Sequence, residues 1–112
     1  MSIKRREKRR LLQTAALLMR ANERVYMGFG QNTEEVMIDA LSQSQETALL
    51  LGTDLENTGK ADLVPLLETY CEDLYVMSQN LHSKKQMAKL YKKIKKELKL
   101  LYDHIENEIE TD

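Results

Sequence analysis

Asp62–Leu81, DLVPLLETYCEDLYVMSQNL, is the stretch whose reading decides the fold. Leu63, Leu66, Leu67, Tyr70, Leu74, Met77 and Leu81 recur three or four residues apart, which on a helix gathers them into one broad stripe. Val64 and Cys71 sit at the edge of that stripe, and Glu68, Glu72 and Asp73 fall largely off it. A stripe this wide cannot belong to a solitary surface helix, so other helices must cover it. Asp62 is placed to cap this helix, and Pro65 falls in its first turn, where a missing N–H removes no intrahelical bond.

The covering helices are legible on either side. Upstream, Leu11, Ala15, Leu18, Asn22, Val25 and Phe29 alternate steps of four and three, and Gly28 and Gly30 offer a stop. Asn32 and Glu35 have capping-box spacing, opening a helix that carries Val36, Ala40, Leu41, Thr47, Ala48, Leu51 and Leu55. Its stripe is small at Ser42, Ser44, Thr47 and Ala48, which permits a close neighbour. Gly52 lies inside it, but Leu41, Ala48 and Leu55 keep heptad spacing through that point, so the helix is read as continuous to Asn57. Asn57-Thr-Gly-Lys60 is a loop. Downstream, Ser83 and Gln86 repeat the capping spacing. Met87, Leu90, Tyr91, Ile94, Leu98, Leu101, Ile105 and Ile109 then continue in steps of three and four, through the longest helix of this reading, roughly 40 Å at 1.5 Å per residue. The expectation is one all-α domain over residues 1–112, with helices near 4–27, 33–57, 63–81 and 84–109. Short connections make neighbours antiparallel: an up-down four-helix bundle with a long C-terminal helix.

The net charge of −1 conceals segregation. Residues 1–29 hold eight Lys/Arg against two acids, 30–83 one Lys against ten acids, and 84–112 eight Lys against six acids. In a bundle this polarity reads first as internal complementarity and second as a partner surface. A lone cysteine excludes an internal disulfide and fits a reducing compartment, with Cys71 read as a small core or edge residue. The basic start is followed by an apolar run that Gln13, Arg20, Asn22, Glu23 and Arg24 break short of a membrane span, and no signal peptide is evident. The expected location is cytoplasmic.

No spacing specifies a reaction. Glu68, Glu72 and Asp73, with Glu46 opposite, read as a solvated carboxylate face, because diiron bundles need Glu-x-x-His pairs that are absent here. Neither His82 nor His104 has a His/Cys neighbour at metal-ligand spacing. No phosphate-binding loop, nucleophile elbow or dinucleotide fingerprint occurs. The chain is therefore read as non-catalytic, without cofactor or metal. His82-Ser-Lys-Lys85 resembles the acceptor segment of histidine phosphotransfer bundles, where a Lys follows the His at this offset. Gln86 stands where that family has Gly, and Lys84 where it has an apolar residue. The resemblance makes His82 a phosphoacceptor in the alternative reading. Lys4, Arg5, Arg6, Lys8, Arg9 and Arg10 form a basic segment suited to an anionic surface such as a membrane. They lack interleaved aromatics, and a pI near 6.1 is low for a nucleic-acid binder. The five tyrosines read as core-edge packing.

Two segments carry a further resemblance. Ser44-Gln-Glu-Thr-Ala-Leu-Leu-Leu-Gly52-Thr-Asp-Leu-Glu56-Asn-Thr-Gly59 and Val64-Pro-Leu-Leu-Glu68-Thr-Tyr70-Cys71-Glu72-Asp-Leu74-Tyr75 resemble the helical N-terminal region of clostridial CDP-glycerol glycerophosphotransferase-like proteins. The likeness covers roughly residues 34–81, and the fourth helix loosely. In that family the chemistry belongs to a transferase domain following the helices, so no catalytic residue carries over. What the resemblance implies is an accessory or oligomerisation module. The leading reading is a protein interaction module, pairing with itself as a homo-oligomer through an exposed strip of the first or fourth helix, or with another protein.

Overall fold

The computed structural model describes residues 4–107. It contains four α-helices, α1 (Arg5–Gly30), α2 (Glu34–Asn57), α3 (Val64–Ser78) and α4 (Lys84–Glu106), with a single 3-10 turn at Ala61–Leu63 leading into α3. There is no strand among the described residues, and no helix there is long and apolar enough to cross a membrane. Each helix packs on the next, and α4 returns to α1, closing the ring of an antiparallel bundle. The core runs along its axis through Leu11, Leu18 and Val25 of α1, Leu51 and Leu55 of α2, Leu67, Tyr70 and Met77 of α3, and Met87, Ile94, Leu101 and Ile105 of α4. These are the stripe positions of the heptad reading.

The ends of the helices differ from expectation for local reasons. Helix α1 passes through Gly28 and Gly30, and at 26 residues it exceeds the 23 of α4. Its stop is Asn32, held left-handed at φ 56°. Thr33 N–H reaches Gly28 O (2.8 Å) and Asn32 N–H reaches Phe29 O (3.1 Å), the paired bonds of a Schellman ending. Asn32 thus closes α1 instead of capping α2, whose N-cap is Thr33. Helix α2 runs unbroken through Gly52 and ends in the same way. Gly59 takes φ 76°, Lys60 N–H bonds Leu55 O (2.7 Å) and Gly59 N–H bonds Glu56 O (3.2 Å).

Pro65 lies at the start of α3 as expected, but the 3-10 turn, not an Asp62 cap, leads into that helix. Helix α3 stops at Ser78, three residues short of Leu81. Asn80 Nδ2 bonds Val76 O (2.7 Å), so the side chain competes for a carbonyl of the last turn. Ser83 caps α4 as predicted, accepting from Gln86 N–H at 3.3 Å. The expected extension of that helix to Ile109 lies outside the described residues.

Gly28 is required by packing. A Cβ there would meet Met37 Cγ at 3.0 Å, Met37 N at 3.1 Å and Val36 Cγ1 at 3.1 Å, because the start of α2 folds back tightly over the end of α1. At Gly52 a Cβ would meet only Leu67 Cδ2, at 3.4 Å, an ordinary contact. The two glycines should respond oppositely to alanine. In urea unfolding, Gly28→Ala should lower stability by about 1–3 kcal/mol through overpacking, whereas Gly52→Ala should raise it by up to about 1 kcal/mol through helix propensity. Equal effects of the same sign would contradict the close α1–α2 approach.

Candidate functional site

The bundle carries two features beyond packing, a buried polar layer and an open apolar groove. The polar layer centres on Tyr70, fully buried on α3. Asn22 of α1 donates from Nδ2 to the Tyr70 hydroxyl (2.6 Å) and to Leu18 O (2.7 Å). Ser44 of α2, which donates to Ala40 O (2.8 Å), meets the same hydroxyl. Burial holds the Tyr70 phenol far above its ordinary pKa, and the Asn22 and Ser44 contacts offset only part of that rise. This phenol stays neutral.

Beside it, Asp73 of α3 and Glu97 of α4 approach across the α3/α4 seam. Lys93 Nζ lies 3.1 Å from Asp73 Oδ1. Asp73 Oδ2 and Glu97 Oε1 are buried with no donor among the described residues. A protonated Glu97 carboxyl supplies the hydrogen for its side-chain hydrogen bond with Asp73. Desolvation, together with the hydrogen bond and the negative charge of Asp73, lifts Glu97 to about 8, against the opposing pull of Lys93. The expectation of a solvated face therefore needs correction at Asp73, which is 8% exposed.

The groove lies between α2 and α3. One wall is Gln45, Ala48, Leu49, Gly52, Thr53 and Glu56; the other is Val64, Leu67, Glu68, Cys71, Leu74 and Tyr75. It encloses about 530 Å³ and is open to solvent. Each wall follows helical three-and-four spacing, so the groove tracks the helices for roughly three turns, about 16 Å. Leu49 is 75% exposed and Tyr75 65%, with Leu50 and Val76 exposed on the same helices. Tyr75 is thus no core-edge residue. Cys71 is exposed in this wall, not packed in the core. Partial burial and the nearby Glu68 raise its pKa, which keeps the thiol protonated and a poor nucleophile near neutrality.

The other candidate residues stand apart. His82 is exposed in the turn between α3 and α4, against a shallow hollow with Phe29, Asn32, Glu34, Met37 and Leu81. It is not on a helix, where a phosphotransfer histidine is presented. Lys4–Arg10 occupy the start of α1 at the opposite end of the bundle, where Arg10 meets Asp54 of α2 at 3.3 Å. His104 is exposed on α4. No group of three His, Cys, Asp or Glu among the described residues is arranged to hold a metal ion. Heptad reading did not reveal the groove, because Leu49 and Tyr75 are legible only as residues outside the main stripes. Their apolar character on two consecutive helices is the signal that could have found it.

The carboxyl pair makes stability depend on pH. Because Glu97 is raised from its ordinary 4.5 to about 8, its contribution is fully present below 4.5 and is lost as pH rises toward and through 8. Lys93, Glu72 and Tyr70 are the other titratable groups around the pair. Glu97→Gln, whose amide can donate to Asp73, should raise the thermal midpoint at pH 8 by about 5 °C, the scale of 1 kcal/mol in a domain this size. It should have little effect at pH 4. Parallel pH profiles for the two proteins would refute the raised Glu97 carboxyl.

No protein family, no curated protein and no solved structure matches this chain.

Proposed function

We propose that the chain is a non-catalytic helical interaction module whose working surface is the groove between α2 and α3. The observation that carries this reading is the exposure of Leu49 and Tyr75 on facing walls of a three-turn apolar channel. Exposed apolar surface of this kind opposes solubility unless something covers it, and a groove between two helices has the shape that seats a third. The one thiol of the groove is disfavoured as thiolate, which argues against nucleophilic work there. The two segments resembling the leader of glycerophosphotransferase-like proteins, Ser44–Gly59 and Val64–Tyr75, include the helices that build the channel. On that resemblance the module is accessory to such an enzyme of cell-surface polymer synthesis. The lone, unbridged Cys71 fits action in the cytoplasm.

A photo-crosslinking residue at position 49 should give a discrete heavier adduct in the source cells, and one at position 92, on the exposed face of α4, should not. Filling the channel with Gly52→Met should abolish the adduct while leaving the circular dichroism spectrum unchanged. Adducts from both faces alike, or none from position 49, would reject the groove as the working surface.

A further inference from the structure

Resting on the interaction reading above, we propose that the α2/α3 groove takes a cationic amphipathic helix from a different protein chain. The argument is one of charge. Glu56 on the α2 wall and Glu68 on the α3 wall line the apolar channel, and Glu46 and Glu72 are exposed on the same two helices. None of these four has an ion-pair partner among the described residues. The carboxylates turned toward the neighbouring helices are paired: Asp39 with Arg24 (3.2 Å), Asp54 with Arg10 (3.3 Å) and Asp73 with Lys93 (3.1 Å). The one basic residue in 30–83 is Lys60, which is 7% exposed and lies 3.5 Å from Asp62, so it supplies no cation along the channel. The basic residues of the chain are concentrated on α1 and α4, on the far side of the ring.

The rim therefore complements an incoming helix that sets Leu- or Phe-like side chains into the channel and carries Lys or Arg beside them. Glu56 and Glu68 stand on opposite walls near the Val64 end, so the basic positions should flank the apolar stripe there. A second copy fits poorly. Groove-to-groove pairing would bring two acidic faces together with no cation between them, a like-charge contact. Among the described residues, the large exposed apolar side chains of α1 and α4 are the separated Leu17, Met27 and Leu100.

The test uses the full chain and two labelled 14-residue helical peptides sharing one Leu/Phe stripe, with Lys or Glu at every flanking position. Fluorescence anisotropy should show the Lys peptide binding at least about tenfold more tightly than the Glu peptide, a difference that shrinks in 0.5 M salt. Glu56→Gln with Glu68→Gln should reduce that ratio to about threefold or less, and Gly52→Met should abolish binding of the Lys peptide. Circular dichroism confirms that the variants fold. Equal, salt-insensitive affinities would overturn the charge selection yet leave the interaction reading standing. Lys-peptide binding that survives Gly52→Met would place the contact elsewhere and overturn the proposal. So would failure of both peptides, with the position-49 adduct then deciding the interaction reading by itself. Concentration-dependent dimerisation lost on Leu49→Ser would assign the groove to a second copy, again overturning the proposal.

Discussion

The hydrogen bond from Asn22 to the Tyr70 hydroxyl fixes how the bundle is assembled. Tyr70 is the largest fully buried side chain, and its hydroxyl must find partners in the core or bear the desolvation penalty unrelieved. The Asn22 amide at 2.6 Å joins α1 to the helix diagonally across the ring, and Ser44 brings α2 to the same point. Leucine heptads alone tolerate sliding by a turn. A phenol that can be satisfied in one register does not. With α1, α2 and α3 tied at one level, α4 completes the ring by packing Ile94 and Leu98 alongside and bringing Glu97 beside the same layer.

That registration divides the surface by charge. Cyclic order puts the basic helices α1 and α4 on one side and the acidic helices α2 and α3 on the other. Ion pairs then form where the two sets meet, at Arg10–Asp54, Arg24–Asp39 and Lys93–Asp73. Each joins one helix of the basic side to one of the acidic side. Partly exposed pairs of this kind add little stability singly, but they consume the cations nearest the acidic side. The outer carboxylates of α2 and α3 are left facing solvent around an apolar channel.

The fold was readable because helical periodicity is a collective signal: dozens of residues had to agree, and a few misplaced boundaries did not matter. Leu67, Tyr70, Leu74 and Met77 are buried as their spacing requires. Helix ends rest on single residues and were less legible. Both Schellman endings need a left-handed residue, and sequence favours Gly28 or Gly30 over Asn32 although the chain uses Asn32. Site residues were harder still. Asp73, Cys71 and Tyr75 all lie near the margin of the α3 stripe, and which of them is buried depends on how far the neighbours stand. Helix α4 comes close enough to bury Asp73, while α2 stands off enough to leave Cys71 and Tyr75 open. Inter-helix spacing comes from the packing of all four helices, and no local pattern records it.

The short connections between consecutive helices carry a kinetic consequence. Most tertiary contacts join helices consecutive in the chain, the local kind that forms early, while the return of α4 to α1 waits on the whole sequence. The α1–α2 hairpin has the most extensive interface and forms from adjacent sequence, whereas the α2–α3 interface is the sparser one. Helix α3, at 15 residues the shortest of the four, is nonetheless pinned to the far side of the ring through the Tyr70 hydroxyl. The channel thus lies along the sparsest seam of the ring, between walls anchored elsewhere, α2 on α1 and α3 through Tyr70. Such a groove is a preformed seat, its shape set by contacts that lie outside it.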